Sequence, residues 1–391
     1  MSDNPTLLDI DPSKLTIVRA EPHVLKTIPP PETWVFGQSG STDHMLIIEH
    51  DPEMGWSAPV IKPYSPLTLD PASSVFHYAT AVFEGMKAFR GPDDKPTLFR
   101  PEMNMDRFAM SAERIALPPF NKDALLALIK QLVLVDERWI PSRTGYSMYV
   151  RPVYIGTRPT VGVQASTHGM IFVIMSPTGP YFPTGFKPIS LMARHDFVRA
   201  WPGGTGEYKL ALNYAPTFKP QQEAASQGYQ QILWLLGDER RVTEVGQMNF
   251  FVVLKRSDGE IDLITPALDG TILPGVTRDC ILSLAGTHVP DASSPSSLST
   301  STRPIPRLHP QERQFTISDI VSWLEQGVLL EAFGTGTASI ICPVSKIGWE
   351  GKDLILPEYE EGVGPVSKAL WERIVEIQEG RRESEWSVKC E

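Results

Sequence analysis

The sequence predicts an α/β protein, with some α+β character, that is divided into two domains. Its 391 residues are more than one hydrophobic core usually organises. Strand-like apolar runs alternate with stretches of helical spacing in both halves of the chain. Between the halves, residues 177–185 (PTGPYFPTG) are rich in proline and glycine, which favours an interdomain connection. We therefore expect an N-terminal arm over 1–40, a small domain over 41–177, a linker over 178–186 and a larger domain over 187–391.

The first half contains two segments with helical spacing. Apolar residues recur at that spacing over 105–115, with Asn104 as the expected N-cap. A second helix is expected over 122–136. Strands are expected over 147–155 and 170–176, where β-branched and aromatic residues are concentrated.

The second half repeats the alternation. Strands are expected over 188–193, 231–236 and 249–254, and helices over 220–226 and 276–284. This pattern predicts a second α/β domain.

One segment of the second half departs from globular composition. Residues 291–303 (DASSPSSLSTSTR) contain almost no apolar side chains. Such a tract cannot contribute to a core, so we expect a mobile insertion on the surface.

Charge and composition exclude several classes of protein. The net charge is −10 and the isoelectric point is near 5.4, which argues against a nucleic-acid partner. The longest apolar runs, such as 171–175, are far too short to span a bilayer, so no membrane partner is expected. The cysteines, Cys280, Cys342 and Cys390, have neither disulfide nor metal-ligand spacing. The acidic first residues resemble no targeting signal, so we expect the cytoplasm, or mitochondria if a presequence has been removed.

Three kinds of chemical group stand out in the second half. Lys209 lies in an aromatic and apolar context (EYKLALNY), and a desolvated lysine can attack an aldehyde. Glu244 is an acid in an otherwise apolar segment. The segment 273–278 (LPGVTR), with Thr277 as the expected cap, suits a phosphate at a helix start, and 334–338 (GTGTA) can add more donors.

Taken singly, each of these features has an ordinary explanation. Most lysines are solvated, most strand-end acids are exposed, and most helix starts bind no ligand. Together they match the aldehyde, the ring nitrogen and the phosphate of pyridoxal 5'-phosphate (PLP).

The motifs are similar to those of the branched-chain amino acid aminotransferases of PLP fold type IV. They occur in the same order over residues 36–387. The matching segments are 77–78 (HY), 82–89 (VFEGMKAF), 98–101 (LFRP), 104–107 (NMDR), 149–152 (YVRP), 208–209 (YK), 213–214 (NY), 243–246 (TEVG), 248–249 (MN), 273–276 (LPGV) and 336–338 (GTA).

The resemblance implies a smaller N-terminal domain, a larger PLP-binding domain and a cofactor at their interface. It implies that Lys209 holds the cofactor as a Schiff base, Tyr214 bonds its phenolic oxygen and Glu244 pairs with its ring nitrogen. The implied phosphate ligands are Arg107, the N–H groups of Val276 and Thr277, and Thr337.

The resemblance also implies a substrate site. Tyr149 and the N–H groups of Thr337 and Ala338 would hold the α-carboxylate, and Arg151 would admit the side-chain carboxylate of glutamate. The implied lining of the side-chain pocket is Tyr78, Phe83, Val163 and Tyr181, with Gln247 close to Glu244.

The implied reaction moves the amino group between leucine, isoleucine or valine and 2-oxoglutarate. The substrates are thus small amino acids and 2-oxo acids, and a homodimer is expected in which loops of the first domain reach the neighbour's pocket. Ser41, Ala211 and Gln247 depart from the residues usual in the family. They leave open a specialised paralogue acting on a related aliphatic or aromatic amino acid, or another fold type IV transaminase.

Overall fold

The computed structural model describes residues 7–182, 184–291, 293–300 and 303–391. The chain divides into two compact units. The first comprises Met1–Pro180, Tyr208–Leu212 and Ile377–Glu391, and the second comprises Tyr181–Glu207 and Asn213–Glu376.

This division corrects the predicted domain bounds in two places. Residues 208–212 and the C-terminal segment from Ile377 were placed in the second domain but belong to the first unit. The reason is strand pairing. Leu210 forms a β-bridge with Val82, and Ser387 pairs with Phe99. The two units are consequently of similar length.

Strands and helices are numbered in chain order. The strands are β1 (Thr16–Ile17), β2 (His44–Asp51), β3 (Gly55–Trp56), β4 (Val60–Pro63), β5 (Ala81–Phe83), β6 (Met86–Arg90), β7 (Pro96–Phe99), β8 (Ser147–Gly156), β9 (Gly169–Thr178), β10 (Ile189–Arg194), β11 (Gln231–Leu236), β12 (Arg241–Val245), β13 (Met248–Lys255), β14 (Ile261–Thr265), β15 (Ser299–Thr300), β16 (Arg303–Pro304), β17 (Leu308–Glu312), β18 (Leu329–Gly336), β19 (Ile340–Trp349), β20 (Lys352–Ile355) and β21 (Ser387–Lys389). The helices are α1 (Ser74–Tyr78), α2 (Pro101–Arg114), α3 (Lys122–Val135), α4 (Phe218–Ser226), α5 (Val276–Thr287), α6 (Ile317–Glu325) and α7 (Pro365–Gln378). The strands and helices predicted from periodicity are therefore confirmed, with ends that differ by a few residues.

The first unit is built on a mixed sheet in the order β1-β4-β2-β9-β8-β6-β7-β21, with β3 paired to β2 and β5 to β8. Side chains alternate between the two faces of β8, as expected for a strand. Met148, Val150 and Tyr154 are fully buried in the core of the unit. Tyr149 and Arg151 point to the opposite face, which they share with Phe83 of β5, the cross-strand partner of Val153.

Helices α2 and α3 cover the core face of this sheet. Met105, Phe108 and Ala112 are buried along one side of α2. The predicted N-cap was wrong: α2 begins at Pro101, after Arg100 in a left-handed conformation, so Asn104 lies within the first turns. Proline is favoured at the first helical position because it has no N–H to satisfy there. The side chain of Asn104 is buried and serves another purpose, described below.

The second unit contains a sheet that closes on itself. Its order is β12-β11-β10-β19-β18-β13-β14-β17, β20 pairs with β19, and β12 also pairs with β13, which joins the ends of a six-strand ring. The apolar interior includes Leu233, Phe250, Val252 and Ile347. Because strands in a closed ring have fixed registers, side chains on neighbouring strands keep fixed partners.

Two helices of this unit bear on the site. Helix α5 begins after Gly275, which is its N-cap, so Thr277 lies in the first turn and the predicted cap at Thr277 is wrong. Helix α7 begins over the buried Glu331 of β18, whose carboxylate accepts from Val366 N at 2.9 Å and Ser367 N at 2.9 Å. This contact fastens β18 near its start.

The serine-rich tract is only partly described, since Ala292, Ser301 and Thr302 lie outside the described residues. Its described part differs from the expected loose surface segment. Leu298 is buried, its N–H donates to His288 Nδ1 at 3.0 Å, and the carbonyl of Ser297 accepts from Arg373. The buried Leu298 side chain and hydrogen bonds such as these hold this part of the tract against its unit.

Candidate active site

The main chain of Lys209 is held on both sides within the first unit. Its N–H donates to Ser111 Oγ on α2 at 2.8 Å, and its carbonyl accepts from Phe83 N at 3.3 Å. The Lys209 ammonium lies 5.0 Å from the centre of the Phe83 ring. The predicted reactive lysine and one predicted pocket residue are therefore neighbours.

Glu84, next to Phe83, has no exposure to solvent and is fully engaged by hydrogen-bond donors. Arg107 Nε donates to Oε1 at 2.7 Å and Arg107 Nη2 to Oε2 at 2.9 Å. Asn104 Nδ2 adds a bond to Oε2 at 2.7 Å, and Gly85 N adds another at 3.0 Å. The predicted phosphate ligand Arg107 is thus buried and forms a bidentate ion pair with Glu84.

Electrostatics keep this carboxylate ionised. Burial alone would raise the pKa of Glu84, but the charge and hydrogen bonds of Arg107, with smaller contributions from Lys209 and Asn104, hold it below its ordinary value. A buried charge is tolerated only when it is paired and hydrogen-bonded. Glu84 meets both conditions.

Tyr149 is fitted against the same segment. A Cβ at Gly85 would lie 1.9 Å from the Tyr149 hydroxyl, so only glycine allows the tyrosine to occupy its place. Arg151 Nη2 donates to that hydroxyl at 2.9 Å, and its guanidinium lies over the rings of Phe83 and Tyr149 at 4.8 Å and 5.1 Å. Among the described residues, Arg151 Nε is a buried donor that has no hydrogen-bond partner.

Two further predicted pocket residues lie at the edge of the first unit. The Tyr78 hydroxyl donates to the carbonyl of Val161. Val163, two residues later, is 85% exposed and Val161 is 66% exposed. The first unit alone therefore gives Val163 no apolar surroundings.

In the second unit, a row of polar side chains crosses three strands. Glu244 of β12 pairs with Asn249 of β13, which pairs with Thr335 of β18. Glu244 Oε1 accepts from Asn249 Nδ2 at 3.1 Å and from Leu273 N at 3.3 Å. Register places Asn249 beside Glu244, and hydrogen bonds from Leu273 N to Glu244 and from Asn249 to the Leu273 carbonyl bring the predicted phosphate segment to the predicted ring-nitrogen partner.

Glu244 also forms a buried ion pair with Arg199. Arg199 is 6% exposed and Glu244 is 2% exposed. Arg199 Nη1 donates to the carbonyls of Gly206 at 3.0 Å and Thr271 at 3.2 Å, which fixes the guanidinium. This arginine keeps a charge of opposite sign next to the carboxylate.

The segment 273–276 is fitted closely to Asn249. Asn249 Nδ2 donates to the Leu273 carbonyl at 2.8 Å, and a Cβ at Gly275 would lie 2.1 Å from Asn249 Oδ1. Because the N-cap is glycine, its own side chain cannot cap the first N–H groups of α5. The N–H groups of Val276 and Thr277 therefore belong to a helix start that suits an anion.

The remaining predicted residues of this unit lie on turns and connections. Thr337 and Ala338 form the tight turn between β18 and β19, and Gln247 is exposed on the turn between β12 and β13. Tyr214 is half-buried before α4, and Tyr181 packs edge-on against Phe182 at 4.9 Å. The roles expected of these residues stay predictions.

Sequence reasoning missed several residues that hold the site together. They are Ser111, which fixes Lys209, Asn104, which fixes Glu84, and Arg199 and Asn249, which fix Glu244. In the sequence, Glu84 stands out only as part of the segment 82–89 (VFEGMKAF). A polar residue on the buried side of a helix, such as Ser111 among Phe108 and Ala112, is the one signal that was present.

One other lysine faces the same side of the sheet as Tyr149. Lys87 on β6 is the cross-strand partner of Tyr149, and burial lowers its pKa to about 8. The described residues contain no group of side chains that could hold a metal ion. They also contain no helix long and apolar enough to cross a membrane.

Comparisons with known proteins agree with the resemblance seen in the motifs. A model of the family described as amino-transferase class IV matches residues 81–301. The branched-chain-amino-acid aminotransferase of Monosiga brevicollis is 46% identical over 384 residues, which cover 97% of this chain and 93% of that protein. The cytosolic branched-chain-amino-acid aminotransferase of Saccharomyces cerevisiae is 47% identical over 385 residues, which cover 98% of this chain and 98% of that protein.

A solved structure supports the fold independently. The branched-chain amino acid aminotransferase of Thermobaculum terrenum, in its PLP form, superposes with a TM-score of 0.68 at 20% identity, covering 89% of this chain and 98% of that one. This likeness confirms the predicted fold class.

The Arg199–Glu244 pair predicts a stability effect that needs no ligand. Arg199→Gln leaves a buried carboxylate without its counter-charge and should lower the free energy of unfolding by about 3–5 kcal/mol. Adding Glu244→Gln should recover part of that loss. Denaturant unfolding would measure both. Arg256→Gln, which removes surface ion pairs to Asp258 and Asp262, is the control and should change the stability far less, because solvent screens exposed ion pairs. Additive losses in the double variant would contradict the pairing.

Proposed function

Because the chain belongs to the class IV aminotransferases, and within them to the branched-chain-amino-acid aminotransferases, we propose that it moves the amino group between leucine, isoleucine or valine and 2-oxoglutarate, with PLP as cofactor. The observation that carries the proposal is the anchoring of Lys209 to Phe83, beside the buried Glu84–Arg107 pair. The yeast relative named cytosolic supports the expected cytoplasmic location.

The donor set fits PLP in chemistry. The aldehyde requires an amine, the phosphate requires cationic and N–H donors, and the ring nitrogen requires a carboxylate. Lys209 supplies the amine, Arg107 and the first N–H groups of α5 supply the phosphate donors, and Glu244 supplies the carboxylate. Thr337 would add a hydroxyl to the phosphate, and Tyr214 would bond the phenolic oxygen.

When bound, the cofactor supplies an electron sink for the bond broken at the substrate's α-carbon. The protein's part is to move a proton and to hold charges in place. With the cofactor present, Lys209 Nζ would take the proton from the substrate's α-carbon. The Glu244 carboxylate, paired with Arg199, would accept a hydrogen bond from the protonated ring nitrogen. The main chain of Lys209 and the side chain of Glu244 are each held by contacts within their own unit.

Substrate selection rests on the face of the first unit that carries Tyr149 and Arg151. The Tyr149 hydroxyl would bind the α-carboxylate. Phe83 and Tyr78 would give apolar surface to an aliphatic side chain. The buried Arg151 Nε would donate to the distal carboxylate of glutamate, so that one pocket serves both partners of the exchange.

A homodimer completes the proposal. The loop is held at the carbonyls of Val161 and Gly162, which accept hydrogen bonds from Tyr78 and Arg158, yet Val161 and Val163 expose their apolar side chains to solvent. Phe76 on α1 is also 61% exposed. Exposed apolar groups on an ordered loop are typical of an interface, and a second copy with the same loop would bury them.

The reaction itself predicts a spectral change. Purified protein should absorb visible light through its cofactor, and L-leucine, L-isoleucine or L-valine should abolish that band until 2-oxoglutarate restores it. Stopped-flow absorbance with a panel of amino acids would measure this. A protein whose absorbance band is unchanged by all three branched-chain amino acids but is lost with another amino donor would contradict the proposed substrates. That result would favour the specialised paralogue.

Arg151 should affect the acidic substrate more than the aliphatic one. Arg151→Met removes a charge-assisted hydrogen bond, so kcat/KM for glutamate should fall by about 10- to 100-fold while that for leucine changes little. Steady-state kinetics with both donors would measure the split. Arg143→Met, which removes another arginine stacked on a tyrosine in the first unit, is the control. Equal losses for both donors would show that Arg151 does not select the carboxylate.

The dimer predicts a change in association. Val163→Asp places a charge where the neighbour would be packed and should weaken self-association by at least about 10-fold, since burying an unpaired charge is costly. Sedimentation equilibrium would measure it. Met54→Asp, at another exposed apolar residue of the first unit, is the control. A monomeric wild-type protein would refute the proposal.

A further inference from the structure

We infer that Glu84 is a positioning residue of the cofactor site, which holds the Arg107 guanidinium in the orientation that binds the phosphate. The inference rests on the proposed function, because the phosphate is that of PLP. Nothing in the resemblance assigns a role to Glu84. Its contacts within the first unit do.

The geometry of the pair fixes the whole guanidinium. Arg107 donates to Glu84 through Nε and Nη2, at 2.7 Å and 2.9 Å, so one edge of the planar group is bound by two parallel hydrogen bonds. The opposite edge, which carries Nη1, is thereby turned away from Glu84. Two bonds of this kind prevent rotation of the plane, which a single bond would permit.

The carboxylate is equally fixed from the other side. Asn104 Nδ2 and Gly85 N both donate to Oε2, and Asn104 also donates to the Gly85 carbonyl at 3.3 Å. Glu84 N donates to the Pro152 carbonyl at 2.9 Å, which attaches the segment to β8. Glu84 therefore cannot follow Arg107 if the arginine moves, and it acts as a fixed point.

A purely structural role explains the pair poorly. Burying two charges costs several kcal/mol per ion, and apolar residues of similar volume are often as stable or more so. A buried arginine that must present cationic donors to an anion, however, cannot be replaced by an apolar residue. Its own desolvation then requires a carboxylate beside it. Glu84 satisfies that requirement and sets the direction of the donors at the same time.

The segments that carry Glu84 and Arg107 also contact Lys209. Glu84 follows Phe83, whose N–H binds the Lys209 carbonyl, and precedes Gly85, which accommodates the Tyr149 hydroxyl. Arg107 lies one turn before Ser111, which binds Lys209 N. The phosphate-binding arginine and the amine are thus positioned from the same two segments. Loss of the Glu84 carboxylate should therefore free the Arg107 guanidinium to rotate but leave Lys209 in place.

Binding of PLP and of pyridoxal, which lacks the phosphate, distinguishes this role. The full-length chain is stripped of cofactor and titrated with each compound, and the affinity is read from absorbance. Glu84→Gln should weaken PLP binding by about 10- to 100-fold, since charge-assisted hydrogen bonds are lost, and should change pyridoxal binding by less than about 3-fold. In an Arg107→Met background, Glu84→Gln should have no further effect on PLP.

Several results would overturn the inference. They are unchanged PLP binding in Glu84→Gln, equal losses for PLP and pyridoxal, or additive losses with Arg107→Met. Asp136→Asn removes another buried carboxylate of the same unit, paired with His44, and should leave both affinities unchanged. A wild-type protein that binds neither compound would refute the proposed function instead, so the two failures are distinguishable.

A second variant covers the case in which Glu84→Gln does not fold. Asn104→Ala keeps the carboxylate and the ion pair but removes one donor that fixes Oε2. It should weaken PLP binding selectively, by about 3- to 10-fold, because the hydrogen bonds from Asn104 to Glu84 and to the Gly85 carbonyl are lost. Unchanged PLP binding in a folded Asn104→Ala protein would overturn the inference.

Discussion

The arrangement of the first unit around Lys209 depends on Glu84, a carboxylate that has no exposure to solvent. Its charge requires Arg107 on one side and Asn104 and Gly85 on the other, and all of these donors are present. Because α2 supplies two of them, the helix must lie against the segment between β5 and β6. The same helix then places Ser111 at Lys209, and the same segment meets Lys209 and Tyr149. A lysine from a distant part of the chain is in this way built into the first unit.

The second unit uses a related device for a different purpose. Glu244 is buried beside Arg199, and it accepts hydrogen bonds from its cross-strand partner Asn249 and from the N–H of Leu273. In the first unit the arginine is the proposed ligand and the carboxylate orients it. In the second the carboxylate is the proposed ligand and Arg199 pairs with it. Each unit thus orients one charged side chain, proposed as a cofactor ligand, by burying a residue of opposite charge beside it. Burying these charges lowers the stability of the fold, but it holds the proposed ligand in one orientation.

Local sequence patterns predicted the helices and strands well, but they did not predict the residues that hold the proposed site residues in place. Strand β11 has the predicted bounds because its apolar run and flanking turn residues act within a few residues of each other. Lys209 and Glu244 could be found because their chemistry is unusual for their apolar surroundings. Glu84 and Arg107 are 23 residues apart, so their pairing has no local signal. Asn104 and Thr277 were predicted as caps from residue type alone, but Pro101 and Gly275 occupy the decisive positions. A resemblance to a family supplied the ligands of the cofactor but did not identify the residues that hold those ligands.

The central claim is that Lys209 is the amine that binds the cofactor, and one covalent measurement tests it directly. Borohydride reduction of the purified protein would fix the cofactor to the lysine that carries it, and mass spectrometry of the digested chain would locate the added mass. The alternative is Lys87, whose pKa burial lowers to about 8 and which is the cross-strand partner of Tyr149. We predict the label on the peptide containing Lys209. A label on Lys87, or no label in a protein with cofactor absorbance, would contradict the claim.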